Sequence, residues 1–122
     1  MKIQRFEDLK IWQKAQDLAF HLYQAFGSCR DFGFKDQICR AAVSISNNIA
    51  EGYGRNTDPQ FRQFLYIARA SCDEVKSMIY LAVRLNYLNE NQKNEFIAQI
   101  EEISRMSFML INYLDKPKKN TQ

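Results

Sequence analysis

A chain of 122 residues, 46% hydrophobic and 25% charged, can bury one core but is too short for two. Four glycines and two prolines exclude the disordered and collagen-like classes and favour long helices. A net charge of +3 permits contact with nucleic acid without demanding it, and no apolar run approaches the roughly 20 residues of a membrane span.

The first helix is expected over residues 8–26, with Glu7 or Asp8 at its positive end and Gly27 and Ser28 as its stop. Its apolar side gathers Leu9, Trp12, Ala15, Ala19, Leu22, Tyr23 and Phe26; Lys10, Gln13, Lys14, Asp17, His21 and Gln24 share the solvated side. A short loop from Cys29 to Phe34 follows, with Phe32 and Phe34 expected to tuck onto the bundle. The second helix spans residues 35–53, and Gly52 and Gly54 are expected to end it by tolerating positive φ. Thr57 or Asp58 can cap the third helix, with Pro59 in its first turn, where no amide donor is needed. That helix, residues 59–85, aligns Phe61, Phe64, Leu65, Ala68, Cys72, Val75, Ile79 and Ala82. Its far side carries Tyr66, Ala70, Tyr80 and Leu81 and is too apolar for a solvated face, which marks them as a candidate subunit interface. The fourth helix, capped by Asn89, covers residues 91–114 through Phe96, Ile100, Ile103, Ser107, Leu110 and Leu114. Residues 116–122 form a polar tail too short to pack. Four helices with short links, and no strand-like alternation, define an all-α, antiparallel up-down-up-down four-helix bundle as a single domain over residues 1–115.

The N-terminus has no apolar segment of the secretory type, so no signal peptide is expected. Cys29, Cys39 and Cys72 are odd in number and lack a CxxC pair, and they read as reduced core thiols of a cytoplasmic protein.

The second helix carries the one polar stripe in an otherwise small and apolar run. Gln37, Arg40, Ser44, Asn47, Asn48 and Glu51 fall within an arc of roughly 100°. Two readings stand side by side. Buried, the stripe would hydrogen-bond to Ser71, Asp73 or Glu74 and fix helix register. Open, it would join Lys10, Lys14, Arg55, Arg62 and Arg69 in contacting RNA or DNA. No catalytic, metal or cofactor constellation is present. The single histidine, His21, lies on a polar face, and no Glu-x-x-His pair occurs. Cys39 has only Arg40 beside it to lower its pKa and reads as a buried thiol. Gly52-x-Gly54 follows a helix and not a strand, which removes the geometry of a dinucleotide fingerprint. No cofactor or small-molecule substrate is expected.

The run from Gln37 through Arg40, Ser44, Asn48, Glu51, Gly52 and Gly54 to Arg55, then Phe61, Phe64, Ala68, Ser71 and Glu74, resembles the four-helix-bundle proteins first described as 23S ribosomal RNA intervening-sequence proteins. Phe6, Leu9 and Trp12 are similar to the opening of that family. The resemblance covers nearly the whole chain. It implies a cytosolic bacterial bundle that assembles as a ring-shaped homopentamer, with no established enzymatic activity and no validated site. A related, more basic branch, the accessory variability proteins of diversity-generating retroelements, binds nucleic acid and a reverse transcriptase. The function expected is a non-catalytic oligomer presenting a weakly basic surface to RNA, DNA or a nucleic-acid-handling protein; the alternative is a protein–protein interaction scaffold.

Overall fold

Each periodic stretch becomes a helix. The computed structural model describes residues 5–117, in which a 3₁₀ turn over Phe6–Asp8 precedes α1 (Lys10–Ala25), α2 (Phe32–Tyr53), α3 (Asp58–Arg84) and α4 (Glu90–Asp115). No strand occurs among the described residues. Three of the four α-helices begin on a side-chain cap that occupies an otherwise unpaired backbone donor. Asp31 Oδ1 accepts from the Phe34 N–H at 3.2 Å, and Thr57 Oγ1 accepts from the Gln60 N–H at 3.4 Å. At α4, Asn89 and Gln92 satisfy each other reciprocally at 2.8 and 2.9 Å, a capping box.

Several boundaries differ from the expected ones. Glu7 and Asp8 sit in the 3₁₀ turn and α1 starts after Leu9, which has no capping side chain. Capping by Asp31 starts α2 at Phe32, three residues early, and leaves Phe32 on the surface at 67% exposure. Phe34 does tuck inward, against Phe26 and Tyr87. On α1, Tyr23 faces solvent, and Leu18, which the expected apolar side did not include, is fully buried. The α4 core also includes Ile111. Residues 118–122 of the expected tail lie outside the described residues.

Neither Gly52 nor Gly54 has positive φ; Gly54 sits at φ −72°. Gly52 is required for a different reason. A Cβ there would lie 2.6 Å from Phe64 Cβ and 3.0 Å from Phe61 Cδ1, so α2 and α3 could not approach as they do. The left-handed position falls instead at Asn86, φ 61°, just beyond α3. The Asn86 N–H reaches the Val83 carbonyl at 3.0 Å and the Tyr87 N–H the Ala82 carbonyl at 2.8 Å, a Schellman closure of the helix.

Side-chain pairings show the helix directions. Gln16 meets Ser46, Ser44 meets Ser71, Arg62 reaches the Leu114 carbonyl, and Lys14 pairs with Glu102. Each joins helices running in opposite senses, in the cyclic order α1, α2, α3, α4, which is an up-down-up-down bundle. Its axis is filled by Leu18, Leu22, Phe26, Ile38, Ile45, Ile49, Leu65, Val75, Ile79, Ile100 and Ile103, all enclosed. Burial of such aliphatic side chains contributes about 1.5–3 kcal/mol apiece before conformational entropy is counted. Ser46 and Ser107 are buried with them, and both have partners: Gln16 donates to Ser46 Oγ, and Ser107 Oγ donates to the Ile103 carbonyl at 2.9 Å.

Candidate functional site

The polar stripe on α2 divides at the seam with α3. Ser44 Oγ lies 3.0 Å from Ser71 Oγ, and Asn48 Nδ2 donates to both the Ser44 carbonyl and its Oγ, at 2.7 and 2.9 Å. These three side chains form a small hydrogen-bonded cluster between the helices. Gln37, Arg40, Asn47 and Glu51 stay exposed, and no bond forms from the stripe to Asp73 or Glu74. Ser44 and Asn48 are one turn apart on the edge facing α3, and Arg40 and Asn47 are turned outward from it. Gln37 and Glu51 are nearly in line with that edge but lie toward the two ends of α2. Glu51 pairs instead along its own helix end with Arg55 at 3.0 Å, an exposed contact of modest value.

The five basic candidates sit on three seams. Lys14 bridges α1 to α4 through Glu102 at 3.3 Å, and Lys10 is exposed at the start of α1. Arg55 lies over the Phe64 ring at the α2–α3 end. Arg62 donates to the Leu114 carbonyl at 3.1 Å and approaches Asp115; Arg69 donates to Ser104 and stacks over Phe108 at 5.1 Å, both across the α3–α4 seam. The structure therefore does not converge them on one pocket, but all five occupy the same half of the bundle, the half from which the chain ends emerge. In that half (residues 5–17, 43–71 and 103–117) eight Lys and Arg stand against six Asp and Glu; in the other half six stand against eight.

Tyr66, Ala70, Tyr80 and Leu81 are exposed on α3, and Ile67 and Leu85 extend that apolar surface. Lys93 of α4 lies over the Tyr80 ring. A second apolar surface escaped the sequence reading. On the outside of α4, Phe108, Met109 and Tyr113 are 48%, 63% and 70% exposed. Met109 and Tyr113 are four residues apart and Phe108 adjoins Met109, so the three share one broad side of the helix, a signal masked by the stronger core periodicity of Ile103, Ser107 and Ile111 beside it.

The two buried thiols offer no nucleophile. Burial pushes Cys39 up from its ordinary value, more than the nearby Lys35 lowers it, and pushes Cys72 up to about 12. A thiol held protonated attacks poorly. The cleft above Cys39, lined by Tyr23, Lys35, Asp36, Arg40 and Val43, therefore holds no activated group. His21 is exposed and faces Gln99 at 3.1 Å. Among the described residues no three His, Cys, Asp or Glu are placed to hold a metal ion, and no helix is long and apolar enough to cross a membrane.

Comparison with known proteins supplies the lineage. The family model of the 23S rRNA-intervening sequence protein matches residues 7–108. Among solved structures, the chain is similar to a protein of unknown function from the S23 ribosomal protein family of Bacteroides thetaiotaomicron, with a TM-score of 0.78 over 84% of this chain and 95% of that one. At 21% identity that likeness speaks for the fold alone. No curated protein matches. With its four-helix architecture and a family match across most of its length, the chain belongs to the 23S rRNA-intervening sequence protein family.

Proposed function

We propose that this chain is a non-catalytic bundle of the cytoplasm that assembles with copies of itself into a homopentameric ring and offers a weakly basic surface to RNA or to a nucleoprotein partner. The observation that carries the reading is the gathering of Lys10, Lys14, Arg55, Arg62 and Arg69 into one half of the bundle, where cations outnumber carboxylates. Lys2, Lys118 and Lys119 supply the whole of the chain's +3. A ring repeats this small excess in every subunit, and multiple weak contacts add through effective concentration. The exposed Tyr66, Ala70, Tyr80 and Leu81 supply an α3 face for assembly.

RNA binding across a salt series tests the proposal. Affinity is expected to fall steeply with rising salt as phosphate contacts are lost; no binding at low salt refutes the nucleic-acid role. Light scattering tests the assembly, and a monomer at working concentration refutes the ring. The exposed α3 face also favours a second reading, a protein-interaction scaffold, in which a partner stays bound after nuclease treatment.

A further inference from the structure

The outward face of α4 from Arg105 to Tyr113 combines three properties. First, Phe108 and Met109 lie three and four residues beyond Arg105, and Asn112 and Tyr113 lie four residues beyond Phe108 and Met109 respectively, so the five form one continuous exposed strip. Second, the strip is free of carboxylates, since Arg105 is the sole charged residue between Ile103 and Leu114. Third, cations reach it uncommitted. Arg105 makes no ion pair among the described residues, and Arg69 arrives from α3 with its guanidinium 5.1 Å from the Phe108 centroid and only Ser104 as a hydrogen-bond partner.

An exposed aromatic ring with an arginine stacked on it is a recurring way to hold an unpaired base. The ring supplies a face for stacking, and the remaining guanidinium N–H groups point to phosphate. A duplex offers no free base face, and the modest charge here is too small to hold one through its backbone alone. An acidic peptide would satisfy the two arginines but leave the rings unexplained, and an anionic membrane would call for more lysine and arginine around the strip than the two present.

We infer that the Arg69–Phe108 stack and the α4 strip running to Tyr113 form a single-strand platform, on which unpaired RNA bases stack while Arg69 and Arg105 take phosphates. This rests on the RNA reading above and deepens it, placing the contact on α4 and not on the α2 stripe.

The test uses the full chain and a fluorescent single-stranded RNA of about 12 nucleotides, the same sequence as a duplex, and anionic vesicles. The single strand is expected to bind tightest. Phe108→Ala should weaken it about tenfold with little change in salt dependence, the size expected for one stacked base. Arg105→Gln should weaken it and flatten the log–log salt slope by about 0.7, the value of one phosphate on a single strand. Arg30→Gln, at the opposite end, should leave both unchanged, and circular dichroism verifies that each variant is folded. Single-strand binding that is indifferent to both Phe108→Ala and Arg105→Gln overturns the platform but leaves the RNA role standing. Tighter binding to duplex or to vesicles also overturns the platform. Absence of any RNA binding overturns the function itself.

Discussion

Gly52 shows how one residue can matter for a reason that chain-local rules do not contain. A glycine near a helix end reads as a stop in the left-handed conformation, and at Gly52 that reading was wrong. The residue is helical and buried, with Phe64 and Phe61 resting where its side chain would be. Gly52→Ala should therefore destabilise the protein, although alanine is the better helix former by about 1 kcal/mol. The overpacking cost of about 1–3 kcal/mol outweighs the propensity gain because the contact is with Phe64 Cβ, which cannot move without the α3 backbone. Chemical denaturation decides this; a more stable variant would show that α3 retreats freely. The thiols follow burial in the same way. Cys29, half-buried in the loop, should react first with a thiol reagent at pH 8, with Cys39 and Cys72 reacting only on unfolding. For Cys72 the folded value is raised above the unfolded one, so the folded state holds its proton longer. That contribution is intact below pH 9 and is lost between there and about pH 12 as the unfolded thiol ionises first.

At the scale of elements, local chemistry was a good guide to where helices begin. Thr57 and Asn89 cap as their residue types suggest, and Asp31 does so in a place where the loop had been extended too far. The difference has a simple origin: Phe32 and Phe34 look like apolar anchors of a loop and Gly33 between them is a poor helix former, signals that compete with Asp31 as an N-cap residue. Asn89→Ala removes one side of the capping box and should cost about 1 kcal/mol, read as a lower denaturation midpoint at unchanged slope. Asn89→Ser should restore most of it. An effect near zero would mean that α4 is held at its start by packing of Leu88 and Phe96 alone.

At the scale of the molecule, the two turns at one end are tied together. The Tyr87 hydroxyl, beyond α3, donates to Asp31 Oδ2, before α2, at 2.7 Å, and its ring packs edge-on against Phe34. This bond, with the Phe34 N–H, holds the Asp31 carboxyl below its ordinary value. A depressed folded-state value means stability that is present above the unfolded pKa, near 3.8, and is lost as pH falls through the folded one. Tyr87→Phe keeps the ring and removes the donor, so it should lower the melting temperature at neutral pH and move the Asp31 titration back upward. Following Asp31 by NMR checks both; an unmoved titration would assign the shift to the helix cap alone.

The sequence by itself determined four helices, most of their caps and the apolar faces that form the core, because periodicity and capping act within a few residues of chain. It also supplied the basic side chains and the α2 stripe as candidates. Only the tertiary structure decided that Ser44 and Asn48 join Ser71 in a seam while Arg40 and Glu51 stay outside, and that Gly52 is a point of close approach. It alone set five scattered cations in one half of the bundle and left Phe108, Met109 and Tyr113 on the surface. Those outcomes depend on which helices are neighbours and on their antiparallel order, which places residues far apart in the chain side by side, and no spacing within a single helix encodes that.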